Sequence, residues 1–100
     1  MVDPALLSEA VVWWTGFGRK TWPSREDDCL IERFGEDVGI DLVPRVKEMA
    51  TEFSSSDARL YAATLSEMGA RAASEFRQHH PELAEDAVQA LAWCYTFDFK

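Results

Sequence analysis

Cysteine is scarce in this chain. Cys29 and Cys94 are the two present, and neither sits in a CxxC pair or at a metal-ligand spacing, which argues against a disulfide framework and against a zinc site. No apolar run approaches the roughly 20 residues that a membrane span needs. The most apolar stretch, Ala5–Trp14, follows an acidic Asp3, and it lacks both a basic flank and a small-residue cleavage site; it does not read as a signal peptide. Basic residues are also few: ten Lys and Arg stand against eighteen Asp and Glu, for a net charge of -8. Phosphate contacts need cations, so nucleic acid and anionic membrane are poor partners. No segment alternates apolar and polar residues between turns, apart from the brief Thr96–Phe99, and a sheet is therefore not expected. The combined expectation is a cytosolic protein with reduced thiols.

What remains is rich in helix signals. Hydrophobic residues make up 47% of the chain, too many for a disordered segment, and 100 residues form a single domain spanning 1–100. Asp3-Pro4 is a helix start, with Asp as N-cap and Pro at the first helical position. The first helix then runs to about Trp14. From Ala5 to Trp14 only Ser8 and Glu9 are polar, and a helix apolar on nearly every side belongs inside a bundle or against a partner. Gly16 and Gly18 end it.

Ser24, with Asp27 three residues on, is expected to open a second helix that closes at Gly35. Glu36–Ile40 reads as a short turn, with a third helix starting between Asp41 and Pro44 and burying Val43, Val46, Met49, Ala50 and Phe53. Ser54-Ser55-Ser56 ends that helix and offers new caps. Asp57–Ala63 fits either a separate turn or the start of a longer helix. Thr64-Leu65-Ser66-Glu67 has the pattern of a capping box and starts a helix whose apolar face is Leu65, Met68, Ala72, Phe76 and His79; Gly69 on it permits close packing. Pro81 stops that helix. The last helix presents Leu83, Ala87, Leu91, Cys94 and Tyr95, with Trp93 and Phe97 on a second apolar side that the first helix is expected to cover. The fold expected is all-α, a compact bundle of four to five short helices.

Chemistry-bearing patterns are thin. Adjacent His79 and His80 point to different faces, and with Glu75 they do not make a metal-ligand spacing; histidines near a helix C-terminus are explained by the dipole there. Cys29 and Cys94 lie on or beside apolar stripes, where a thiol is inert. Gly16-Phe17-Gly18-Arg19-Lys20 lacks the preceding strand and the further glycines of a phosphate loop, and reads as a tight turn laying Phe17 and Trp22 on the core. No enzymatic constellation, metal site or cofactor is expected.

Two features stand out. Trp13, Trp14, Phe17 and Trp22 crowd one stretch, and neighbours on a helix cannot face the same way, so one of Trp13 and Trp14 is either covered by the last helix or an interface anchor. Charge is also segregated. Residues 26–41 hold Glu26, Asp27, Asp28, Glu32, Glu36, Asp37 and Asp41 against Arg33 alone, -6 of the total -8, while 13–25 carry Arg19, Lys20 and Arg25 and no acid. A solvated face explains such a segment; so does an electrostatic surface for a basic partner. The functional expectation is a small acidic module that binds and caps a basic protein surface, in the manner of an immunity or antitoxin-type inhibitor of a cationic toxin. The alternative is a small-ligand site in which Trp13, Trp14, Phe17 and Trp22 line a pocket and Arg19 holds an anion. Self-association into a homo-oligomer is left open.

Overall fold

The computed structural model describes residues 3–99. Among them it is all-α and contains no strand. The elements are α1 (Pro4–Thr15), α2 (Asp27–Phe34), α3 (Glu36–Ser54), the single turn α4 (Ala58–Tyr61), α5 (Leu65–His79) and α6 (Glu85–Phe99). α6 packs against α1, α3 and α5, whereas α2 packs on α1 and α3. α1 and α3 therefore lie between α2 and the α5–α6 pair.

The start of α1 follows the sequence signals. The Asp3 carboxylate accepts the Ala5 N–H at 2.7 Å, Pro4 occupies the first turn, and the left-handed Gly16 closes the end by donating to the Val12 carbonyl. Leu7, Ala10, Val11 and Trp14 enter the core, and Leu6, Val12 and Trp13 pack partly against it. The helix is tied to the far end of the chain as well, because the Ser8 hydroxyl accepts the Ala84 N–H at 2.9 Å.

Two boundaries differ from expectation. α2 begins at Asp27, not at Ser24, and its N-cap Glu26 makes no side-chain cap bond. Ser24 instead belongs to the loop, where its N–H donates to the Thr15 carbonyl at 3.1 Å. The second difference is larger: Glu36–Ile40 is helix, not turn, and Pro44 lies inside α3. The whole reversal between α2 and α3 is made by Gly35. At φ +89° it occupies a region open to glycine; its N–H closes α2 on Ile31 and its carbonyl takes the Gly39 N–H at 2.8 Å. Pro44 withholds a donor from the Ile40 carbonyl, at a usual cost of about 3 kcal/mol or more. The helix continues because Leu42, Val46, Met49 and Phe53 are buried on both sides of the proline, while Ile40 and Pro44 face water.

The α2–α3 hairpin is very tight. A Cβ on Gly39 would sit 2.6 Å from Ile31 Cα and 2.9 Å from the Leu30 carbonyl oxygen, so only glycine lets the two backbones meet there.

The ambiguous Asp57–Ala63 resolves into one turn of helix. Ser56 Oγ accepts the Ala58 N–H, and the Tyr95 hydroxyl bridges from α6 by donating to the Ser56 carbonyl at 2.8 Å and accepting the Arg59 N–H at 3.1 Å. α5 opens as the Thr64 motif implies: Thr64 Oγ1 accepts the Glu67 N–H, and the Glu67 carboxylate reaches back to the Ala63 N–H. Met68, Ala72 and Phe76 are buried on its inner face, but Leu65 and His79 at the two ends are exposed. In α6 Ala87, Leu91, Cys94 and Tyr95 are buried, as is Leu83 just before it. The second apolar side is covered in part: Phe17 lies 5.7 Å from Trp93, centroid to centroid.

Candidate functional site

Six of the seven acids in 26–41 are exposed, and one is not spare. Asp27 is half-buried and joins three helices: it accepts the Trp14 indole N–H at 3.0 Å and lies 2.7 Å from the Lys47 ammonium of α3. Lys47 first, and the Trp14 hydrogen bond second, hold its carboxyl below the ordinary value. Asp27 is thus a structural clasp. Glu26 lies 3.6 Å from Lys20.

The remaining five, Asp28, Glu32, Glu36, Asp37 and Asp41, are exposed, and none has an ion-pair partner within 4 Å among the described residues. Four of the eleven acids elsewhere are paired with an arginine: Glu9 with Arg33, Asp98 with Arg25, Glu67 with Arg71 and Glu85 with Arg77. Spacing concentrates the unpaired charge. Asp28 and Glu32 stand one turn apart on α2, and Asp37 and Asp41 one turn apart on α3. Like charges at that separation disfavour a helix by about 0.2–0.5 kcal/mol per pair.

Apolar side chains sit among them. Ile40 is 54% exposed and Val38 41% exposed, and Asp37, Ile40, Asp41 and Pro44 recur at helical spacing on one outward side of α3. The sequence reading missed Val38 and Ile40 because it placed them in a turn, where no face is defined. Had α3 been started at Glu36, their spacing from Asp37 and Asp41 would have shown them.

The aromatic stretch is dispersed. Trp14 is buried and turns toward α2 through Asp27. Trp13 is half-buried beneath two guanidinium groups, with Arg19 4.0 Å and Arg33 4.8 Å from its ring centroid. Arg19 also donates to the Trp13 carbonyl at 2.8 Å, so both its charge and its N–H groups are engaged. Phe17 turns to Trp93 on α6. Trp22 is 61% exposed and does not lie on the core as expected for the loop. Among the described residues, Phe17 lines a hollow between α5 and α6 that Trp14, Arg19 and Trp22 do not line.

The other candidates are soon placed. His79 is exposed, while His80 stacks on Phe76 at 4.6 Å with its Nε2 2.7 Å from a Glu52 oxygen. Among the described residues no group of three or more His, Cys, Asp or Glu is placed to hold a metal ion. The two cysteines are unbridged; burial pushes the Cys94 thiol up to about 12, and Cys29 is half-buried with its sulfur 3.7 Å from Glu26. No helix among the described residues is long and apolar enough to cross a membrane. The chain matches no protein-family model, and no curated protein or solved structure is similar to it.

Proposed function

We propose that the chain is a binding protein whose α2–α3 hairpin caps a basic surface on a partner protein, inhibiting it by steric and electrostatic blocking rather than by catalysis. One observation carries the reading: five exposed carboxylates without ion-pair partners on a single rigid hairpin, with Ile40 and Val38 exposed between them. An interface works best with an apolar anchor inside a polar rim, and an acidic rim selects and steers a cationic partner. Glycine geometry at Gly35 and Gly39, together with the Asp27 clasp, gives the hairpin a fixed shape, which lowers the ordering cost of binding. A cytosolic immunity or antitoxin-type inhibitor remains the kind of protein with this character. The ligand-pocket alternative has less support, since its four aromatic rings diverge and Arg19 is already occupied.

The test is association kinetics. Proteins retained from a lysate by the immobilised wild type, but not by the D28K/E32K/D37K triple reversal, are identified and their binding rates measured at low and high salt. The expected result is a fast rate that falls as salt screens the charges over about 8–10 Å and that drops with the triple reversal. The three sites are exposed, so stability changes by only about 0.5 kcal/mol at each. A rate indifferent to both salt and reversal rejects the electrostatic cap.

A further inference from the structure

The outward side of α3 carries an irregularity besides its charge. Pro44 lies inside the helix and has no N–H, so the Ile40 carbonyl lacks the donor that an interior helical carbonyl meets four residues on. Both residues are exposed, Ile40 by 54%. The proline ring crowds that carbonyl, and carbonyls on the water side of a helix tilt outward. A hydrogen-bond acceptor is therefore left open on the surface of the hairpin.

Helical spacing sets what surrounds it. At 3.6 residues per turn, Asp37, Ile40, Asp41, Pro44 and Glu48 fall within an arc of about 100° around α3. Asp37, Asp41 and Glu48 are exposed, and none has an ion-pair partner within 4 Å among the described residues. Asp41 follows the open carbonyl directly, and Asp37 lies about 6 Å before Asp41 along the axis. Arg45, beside Pro44, is exposed at the edge of this stripe. One guanidinium against three carboxylates leaves the stripe negative.

On the reading that the hairpin caps a basic partner, we infer that this stripe seats one of that partner's arginines. Its guanidinium donates to the Ile40 carbonyl and to the carboxylates beside it, and its methylene stem lies on Ile40 and Pro44. A guanidinium carries five N–H donors in a fixed planar fork, suited to several acceptors held side by side. A lysine ammonium is a compact and strongly hydrated charge, which gains less from a second fixed acceptor. The arginine stem also packs on apolar surface while its head stays polar. The chain makes the same pairing within itself: Arg59 donates to the Ser56 carbonyl at 2.7 Å and Arg19 to the Trp13 carbonyl at 2.8 Å.

Calorimetric titration of the full chain with hexa-arginine and with hexalysine at low salt tests this. The wild type is expected to bind hexa-arginine more tightly. Pro44→Ala gives the Ile40 carbonyl an N–H inside the helix and changes no charge. It should weaken hexa-arginine at least about threefold, as for the loss of one exposed hydrogen bond, and leave hexalysine unchanged. Alanine is the better helix former, so far-UV circular dichroism and a raised melting temperature should show that this variant folds. Asp41→Asn should weaken both peptides. Equal affinity of the wild type for the two peptides, or no binding of either, overturns the arginine seat. So does a Pro44→Ala protein that loses both peptides equally or neither. The cap is judged apart from the seat by the D28K/E32K/D37K reversal. If both peptides bind the wild type alike and the reversal releases them, the hairpin recognises cations without selecting arginine. Hexa-arginine binding that ignores the reversal overturns both readings.

Discussion

Gly39→Ala sets two known effects against each other at one atom. In a helix interior, alanine is favoured over glycine by about 0.8–1 kcal/mol, so on propensity alone the substitution should stabilise α3. The new Cβ, however, meets Ile31 Cα at 2.6 Å, Ile31 N at 2.9 Å and the Leu30 carbonyl oxygen at 2.9 Å. All three are backbone atoms, and no rotamer change can move them. Relief requires α2 to retreat from α3 by about an ångström, which pulls Leu30 from full burial and lengthens the Asp27 bonds to Trp14 and Lys47. Overpacking of this kind costs about 1–3 kcal/mol and occasionally more, enough to outweigh the propensity gain. We expect a net loss of roughly 1–2 kcal/mol, or a fall of about 4–16 °C in Tm for a domain of this size.

Gly69→Ala is the internal control. It carries the same propensity gain, but its Cβ meets only the Thr96 Cγ2 methyl at 2.9 Å, a side chain that can rotate. Urea melts followed at 222 nm should place Gly69→Ala close to the wild type and Gly39→Ala clearly below it. A Gly39→Ala protein as stable as the wild type would show that α2 does not rest on α3 at this point.

Other expectations can be checked on the same protein. Leu7→Ala removes a core side chain only 4% exposed and should cost on the order of 2–5 kcal/mol in a urea melt; an unchanged melt would make α1 peripheral. The Asp27 carboxyl is held below its ordinary 3.8 by Lys47 and Trp14. Its contribution to stability is therefore full above that value and is lost as pH falls through the lower folded value. Asp27→Asn should flatten the acid limb of stability below about pH 4 and cost about 1 kcal/mol or less at neutral pH, since the carboxylate is partly exposed; an identical acid limb refutes the clasp. With its thiol raised to about 12 by burial, Cys94 should label only on unfolding, while half-buried Cys29 labels in the native protein. Equal native rates for the two would contradict the placement of α6.

Helices could be read from the residues wherever the signal was local. Asp3-Pro4 and Thr64 with Glu67 announce their caps by chemistry that acts within four residues, and α1 and α5 begin where those motifs fall. The reading failed between residues 24 and 44 because two local signals there are overridden by packing. Ser24 has the chemistry of a cap, but its backbone is drawn to Thr15. Pro44 has the chemistry of a helix start, yet buried Leu42 and Val46 carry the helix through it. Gly39 looks like a turn residue and is instead a contact surface, a role visible only once Ile31 is known to lie against it. The acidic segment was evident as a count of charges. Which of them is spent internally was not, because Asp27 is distinguished from Asp28 only by the partners that α1 and α3 bring to it.

The joining of α1 to α6 sets the order in which this chain can be made. α1 is apolar on nearly every side, and much of its cover arrives with α6; Ser8 receives the Ala84 N–H, and Phe17 waits for Trp93. At ribosomal speeds of about 5–20 residues per second, some 80 residues of synthesis separate the emergence of α1 from that of α6, a delay of roughly 4–16 s. Through that interval the first helix can be covered only on its α2–α3 side, and contacts so distant in sequence form late in folding. A nascent chain halted before α6 should therefore be bound by chaperones through Leu6–Trp14. Premature termination would yield an adhesive fragment rather than a smaller folded protein.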